Sequence, residues 1–312
     1  MRLVFMGTSS FAVPTLERVV ADSHQIAGVI TQPDRPAGRG HRIHPSPVRQ
    51  RAAELGLTIH QPASIKSESA RQLVEDLRPE MTIVVAYGRI IPGWMIRIPR
   101  FGTVNVHGSL LPKYRGAAPI NWAIANGETE TGVCTMQVDE GLDTGPVYLS
   151  KRTSIGPDET AIELWERLSR MGADLMAKTL DGIADGTLQP VPQDSRAATH
   201  APLLEKRHGV IDWTESAQAV HNKVRAFVPW PCAATSFRKR GCKILRSKLA
   251  GPSMSGAAGE IAETKGRLAV RCGDGGRLEV VQLQIESHKP VFGVDFVNGM
   301  RAHVGERFGT EA

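Results

Sequence analysis

The sequence predicts an α/β domain built on a parallel or mixed sheet, followed by a small β-barrel. Three observations carry that expectation. Apolar strand-like runs alternate with helix-spaced segments over the first two-thirds of the 312-residue chain, as in successive βαβ units. A polar stretch from Gly186 to Thr199, bearing Pro190, Pro192, Gln193 and Asp194, then breaks the alternation and reads as a linker. Beyond it, short strand-like segments follow one another closely with glycines and polar turns between them, the pattern of a small barrel or sandwich. The length suits two domains, and 41% hydrophobic against 22% charged residues is the balance of a chain that folds in water.

Leu3-Val-Phe-Met6 is an apolar run closed by Gly7-Thr-Ser-Ser10, and Val13 to Ala21 follows with helical spacing. This first turn holds one glycine where a dinucleotide-binding G-x-G-x-x-G turn holds three, so it reads as a plain strand-to-helix turn. Ile26 to Ile30 makes a second strand, Ala70 to Leu77 a helix and Met81 to Ala86 a buried strand. Val104 to His107 and Val133 to Val138 complete the strands, with helices over Ile120 to Ala125 and Ala161 to Ala184. Past the linker, Ile211-Asp-Trp213 opens a new pattern. A helix over Ser216 to Phe227 precedes strands near Ala234–Phe237, Ile244–Leu245, Gly259–Ile261, Leu268–Arg271 and Leu278–Ile285.

Cys134, Cys232, Cys242 and Cys272 are widely spaced with no C-x-x-C pair, which argues against a disulfide framework or a zinc site and for a reducing cytoplasm. No apolar run approaches the roughly 18–20 residues that span a bilayer. The amino terminus runs straight into a strand, with no expected targeting peptide. The net charge is +6, and all of it lies late in the chain. From Glu205 onward there are 17 Lys and Arg against 11 Asp and Glu, leaving 21 of each sign before it. Such asymmetry suits a polyanionic partner for the last third, and a basic solvated surface equally.

The chemistry-bearing segments are Asn105-Val-His107-Gly-Ser-Leu-Leu-Pro112 and Gly141-Leu-Asp143-Thr-Gly145. Residues two apart on a strand share a face, so Asn105 and His107 project together. An amide donor beside an imidazole suits a reacting carbonyl: one group steadies the developing oxyanion and the other moves a proton. Asp143 is placed to orient the imidazole and support its charged form. In an α/β sheet such residues sit where ligands bind, beyond the carboxyl ends of strands. Taken locally, the pattern also fits a satisfied buried polar pair and a plain turn aspartate.

Together with Asn105, His107 and Asp143, further segments show that the chain resembles the methionyl-tRNA formyltransferase family over nearly its full length. They are Thr31-Gln-Pro-Asp-Arg-Pro-Ala-Gly-Arg-Gly40, Val84-Val-Ala-Tyr-Gly88, Tyr114-Arg-Gly-Ala-Ala-Pro-Ile120, Ile211-Asp-Trp213, Arg225-Ala-Phe227 and Pro229-Trp-Pro231. The N-x-H…D pattern alone is shared with folate-dependent formyl hydrolases and transferases generally. The arginine-rich loop and the later motifs point to the tRNA branch. The first turn departs from the family, with Ser9 and Ser10 where Pro and an acidic residue are common.

The resemblance implies a Rossmann-like formyltransferase domain over 1–189, a linker over 190–208 and a carboxyl-terminal domain similar to an oligonucleotide-binding (OB) barrel over 209–312. It implies 10-formyltetrahydrofolate as formyl donor, initiator methionyl-tRNA as acceptor, no metal, a monomer, and a bacterial-type cytoplasmic enzyme of translation initiation. Asn105, His107 and Asp143 are the implied catalytic residues. Ser109, Leu110, Leu111 and Pro112 are the implied folate segment, with Arg89 and Ile91 lining the same cleft mainly through backbone. Arg35, Arg39 and Arg42 lie on the loop that meets the acceptor end of the tRNA. Arg238, Lys239 and Arg240, with Lys243, Arg246 and Lys248, form the densest basic cluster and suit phosphate contact. Two readings compete: the same donor with a nucleotide or sugar amine as acceptor, and an RNA-binding module with an inactive α/β domain. The basic barrel-like last third disfavours the first, and the intact Asn105, His107 and Asp143 set disfavours the second.

Overall fold

The computed structural model describes residues 1–37, 42–252 and 256–309, in two compact units. The first takes in Met1–Pro119, Thr131–Thr153 and Trp165–Ala201; the second takes in Ile120–Glu130, Ser154–Leu164 and Pro202–Ala312.

Ten strands run in order through the first two-thirds: β1 (Arg2–Gly7), β2 (Gln25–Ile30), β3 (Arg35–Ala37), β4 (Arg42–His44), β5 (Ile59–His60), β6 (Met81–Val85), β7 (Thr103–His107), β8 (Arg115–Gly116), β9 (Glu130–Gln137) and β10 (Val147–Ser154). The helices are α1 (Val13–Ala21), α2 (Pro47–Glu54), α3 (Glu68–Leu77), α4 (Gly93–Arg97), α5 (Pro119–Ala125) and α6 (Ala161–Ala184). A short β11 (His200–Ala201) pairs in parallel with β8.

Seven of these strands form one sheet in the order β10-β9-β7-β6-β1-β2-β5. β1 pairs in parallel with β2 and β6, as do β2 with β5 and β6 with β7; β9 runs antiparallel to β7. The sheet is therefore mixed, as the sequence predicts. Leu3 to Met6 and Met81 to Val85 are buried throughout, which is why they read as apolar runs, broken only by Thr82. β10 was not legible as a strand because its Ser150, Lys151 and Arg152 are exposed at a sheet edge. α3 begins two residues earlier than its apolar spacing suggests, since the Ser67 hydroxyl accepts the Ala70 N–H at 3.2 Å and caps it.

The chain runs from β1 outward to β2 and β5, then returns to β6 on the other side of β1. The crevice beyond the carboxyl ends of β1 and β6 is thus a topological switch point. There the Thr8 hydroxyl and the Gln32 amide both donate to the Tyr87 carbonyl, at 2.9 and 2.7 Å. On the back of β7, Gly172 of α6 faces Val106; a Cβ there would lie 2.6 Å from Val106 Cγ1. Val106 therefore faces the helix, and Asn105 and His107 project from the opposite face.

The second unit carries α7 (Ala217–Ala226), β12 (Ala233–Phe237), β13 (Arg240–Pro252), β14 (Ile261–Glu263), β15 (Ala269–Arg271), β16 (Gly276–Ile285), β17 (Val291–Phe292) and α8 (Gly293–Met300). Its antiparallel sheet runs β12-β13-β16-β15-β14, with β17 on β16. Residues 306–308 bridge both outer strands: Phe308 pairs with Phe237 of β12, and the Glu306 carbonyl accepts the Ile261 N–H of β14 at 2.7 Å. That segment closes the sheet into the barrel-like form the sequence predicts. Phe237, Phe296 and Phe308 pack ring to ring inside it, with centroids 5.0–5.9 Å apart.

A polar cluster is buried in the same unit. The Arg225 guanidinium donates to the Gly156 and Glu159 carbonyls at 3.2 and 3.3 Å and to Asn222 Oδ1 at 2.9 and 3.1 Å. His221, 2% exposed, bonds Ser247 Oγ at 2.9 Å and the Pro157 carbonyl at 3.0 Å, with Asp158 3.3 Å away. Burial pushes the His221 imidazole below its ordinary range and lowers the Arg225 guanidinium also.

Candidate active site

Asn105 and His107 stand on the last turn of pleat in β7, opposite Met136 and Cys134 of β9. Burial pushes the Cys134 thiol up to about 11, against a smaller lowering by the Leu111 backbone, so it stays protonated beside the site. His107 is buried, at 5% exposure, and its Nε2 lies 2.9 Å from the Tyr114 carbonyl oxygen. A carbonyl only accepts, so Nε2 carries a hydrogen in either charge state of the ring. Nδ1 is then the nitrogen free to gain or lose a proton, and it faces Asp143 Oδ2 at 3.6 Å. That separation brings the imidazole and carboxylate together across the sequence, without a direct hydrogen bond.

The Asp143 turn is held from several sides. Asp143 has φ 53°, a left-handed conformation that short polar side chains tolerate best. Its Oδ2 accepts the Gly116 N–H at 2.8 Å. Thr144 Oγ1 donates to both Asp139 oxygens at 2.7 and 2.8 Å, and Gly141 N–H to Asp139 Oδ1 at 3.0 Å. Gly116 has φ 120°, and a Cβ there would meet the Ala201 carbonyl at 2.6 Å. The N–H that binds the carboxylate thus comes from a position only glycine fills without strain.

Asn105 is half-buried, and among the described residues its amide has no hydrogen-bond partner. A polar group left open on the face that carries the imidazole is available to a bound molecule. Ser109 to Pro112 lie between the two points joined by the His107–Tyr114 contact. The Ser109 hydroxyl donates to the Lys113 carbonyl at 2.6 Å, the Leu110 side chain faces Gly132, and the Pro112 carbonyl accepts the Thr199 N–H at 3.3 Å. Arg89 is exposed and lines a recess of about 430 Å³ with Gln32, Ser64, Lys66, Gly88 and Ile90, at the switch point. Ile91 turns inward instead and packs with Tyr87, Met95 and Val84.

Arg35 and Arg42 occupy the antiparallel pair β3 and β4, opposite His44 and Ala37 respectively. Arg39 lies outside the described residues. The base of this pair is anchored where Asp34 accepts from Arg49 and, at 2.9 Å, from Gln61 Nε2. Arg238 and Lys239 form the two-residue turn between β12 and β13, with φ 48° and 61°. Arg238 folds back onto Glu306 at 2.8 and 2.9 Å and over the Phe237 ring at 5.0 Å. Lys239 is exposed, and Arg240 is half-buried beside His288 Nδ1 at 3.2 Å.

The sequence assigned no role in the site to four participants: the Tyr114 carbonyl, the Gly116 N–H, Arg115 and Gln193. The first two act through backbone, which no side-chain pattern announces. Arg115 and Gln193 meet across 78 residues of chain.

The chain matches the family "Formyl transferase" over residues 1–180 and "Formyl transferase, C-terminal domain" over residues 203–301. It is 47% identical over 309 residues to a methionyl-tRNA formyltransferase of Solibacter usitatus, covering 99% of each chain. It is 48% identical over 300 residues to one of Acidobacterium capsulatum, covering 96% of each. Among solved structures, it resembles an N-formyltransferase from Helicobacter canadensis in complex with folinic acid and dTDP-3-aminofucose. The TM-score is 0.68 at 20% identity, over 90% of this chain and 98% of that one.

Proposed function

The chain belongs to the methionyl-tRNA formyltransferase family, and from that premise we propose how its residues perform the reaction. The enzyme transfers the formyl group of 10-formyltetrahydrofolate to the α-amino group of methionyl initiator tRNA, for translation initiation. The observation that carries the assignment of the site is the convergence of Asn105, His107 and Asp143 beside an N–H supplied by a glycine.

The folate supplies an activated formyl carbon. A free α-amino group has a pKa of about 8, so a usable fraction is neutral near pH 7 and strong base catalysis is unnecessary. Placement and charge stabilisation matter more. Asn105, whose amide is open, donates to the formyl oxygen as negative charge develops there, a contribution on the order of 3–4 kcal/mol for a well-placed donor. His107 exchanges a proton through Nδ1, because Nε2 is committed to Tyr114. Asp143 steadies the charged ring and is itself held by Gly116. The Ser109–Pro112 backbone and the recess by Gly88 and Arg89 suit a flat ring that needs both stacking and hydrogen bonds.

In this reading residues 1–189 bind folate and catalyse, residues 190–208 connect, and residues 209–312 bind tRNA. Arg35, Arg39 and Arg42 meet the acceptor end, and Arg238, Lys239 and Arg240 lie along the backbone of the tRNA. Of Arg238, Lys239 and Arg240, Arg238 is already paired with Glu306, whereas Lys239 is exposed and forms no ion pair among the described residues. The enzyme works as a monomer in the cytoplasm. The test is radiolabelled formyl transfer to charged initiator tRNA, charged elongator methionine tRNA and free methionine in parallel. Transfer confined to the initiator species supports the proposal, and equal transfer to free methionine sinks it.

A further inference from the structure

Gln193 lies in the stretch that reads as a linker, between exposed Pro192 and Asp194, yet its own side chain is half-buried and fully engaged. Its Nε2 donates to the carbonyls of Asp143 and Gly145, at 2.9 and 2.6 Å. Its Oε1 accepts from Arg115 Nε at 3.1 Å and Nη2 at 2.9 Å. A side-chain amide has two N–H groups and two lone pairs, and here all four are used.

Both ends of this bridge lead to the Asp143 carboxylate. One end grips the turn backbone on either side of Thr144. The other grips Arg115, whose neighbour Gly116 gives its N–H to Asp143 Oδ2 at 2.8 Å. Arg115 is itself buried, at 5% exposure, and among the described residues it forms no ion pair; its side-chain partners are Gln193 and, at 3.4 Å, Ser195. Its backbone is pinned too, with its N–H on the Thr199 carbonyl at 2.9 Å. A buried guanidinium held by a neutral amide is costly for stability alone, where a carboxylate would serve better. The arrangement makes sense if the amide's N–H groups are needed on the other side.

We propose that Gln193 is a positioning residue for formyl transfer, acting through Asp143 by locking the Gly141–Gly145 turn against the Arg115–Gly116 strand. This rests on reading Asp143 and His107 as a working pair. Gln193→Glu separates the two ends: it keeps an acceptor for Arg115, now as an ion pair, and removes both donors to the turn. The expected result is an unchanged or raised melting temperature with kcat lowered about 10- to 100-fold, the scale of a displacement near 1 Å at a reacting centre. KM for folate and for tRNA should stay within about threefold. Gln193→Leu should lower kcat similarly.

The deciding measurement is a double-mutant cycle with Asp143→Asn. If Gln193 acts through the carboxylate, adding Gln193→Glu to Asp143→Asn changes kcat by less than about threefold. Multiplying losses would overturn the proposal, since Gln193 would then act independently. So would a Gln193→Glu enzyme within threefold of the parent while Asp143→Asn is impaired. Full activity in Asp143→Asn would instead overturn the catalytic pair, and the proposal with it.

Discussion

Replacing Asp143 by asparagine removes one charge and little else. The new side chain keeps an oxygen for the Gly116 N–H, which now binds Oδ2 at 2.8 Å, so the turn retains its anchor. What is lost is the attraction between the carboxylate and a charged His107 ring, 3.6 Å apart. At that separation two unit charges attract by about 1 kcal/mol at the dielectric of water and about 5 kcal/mol at an effective value near 20. The side chains are only 6% and 18% exposed, so the loss should fall inside that range, about 2–4 kcal/mol. At about 1.4 kcal/mol per decade, the rate of formyl transfer should drop roughly 30- to 1,000-fold. Single-turnover transfer of radiolabelled formyl, at pH 7 with both substrates saturating, measures it directly. Melting should move by only about 2 °C, since fold contacts are kept. A rate within threefold of the parent would refute the pairing of ring and carboxylate as a source of rate.

Other consequences can be checked alongside. Asn105→Ala should cut kcat about 10²- to 10³-fold without loss of stability in urea, because the amide has no partner to abandon among the described residues. Gly116→Ala places a Cβ 2.6 Å from the Ala201 carbonyl at φ 120°, so its urea midpoint should report a loss of about 2 kcal/mol or more, with kcat falling as well. Burial lowers the His221 imidazole, which sits between Ser247, Pro157, Asp158 and Arg225, so the folded protein resists its protonation. Below about pH 6.5 the unfolded chain takes up a proton that the fold does not, and stability falls with acid. His221→Gln should therefore show a shallower decline between pH 7 and 5 than the parent; parallel curves would contradict this. In filter binding, Lys239→Ala should lower the salt slope of tRNA affinity by about 1. Arg238→Ala should instead cost stability, because that guanidinium is already paired with Glu306.

How much of this could be read from the chain depended on whether the cause was local. β1 and β6 announce themselves because both faces are buried from Leu3 to Met6 and from Met81 to Val85, and Thr82 alone in those runs is polar. Asn105 and His107 were legible because a strand alternates strictly and both fall on one side of it. β13 was not: only Ile244 and Leu245 stood out of what is a 13-residue strand. Its register shifts after Ile244, Arg246 and Leu249, so buried residues fall out of alternation and the period is lost. α8 went unread because Gly293 and Gly299 weaken its helical appearance. Asp143 was visible as a motif with a role toward His107, but the hold on its own turn was not. That hold comes from Gly116, 27 residues away, and from Gln193, 50 residues away. Such partners meet only in space, and a lone glutamine among prolines looks like any solvated connector.

The second unit is discontinuous in the chain, and this limits how it can be transplanted. Arg225 lies late in the sequence, but the Gly156 and Glu159 carbonyls that satisfy it are made far earlier. A gene fragment beginning at residue 202 would encode every strand of the barrel and still leave a desolvated cation without those acceptors, a defect worth several kcal/mol. Recombination that moves this unit onto another scaffold would have to carry the 120–130 and 154–164 excursions with it. The crossover points tolerated in such chimeras should therefore avoid the stretch that looks most like a hinge.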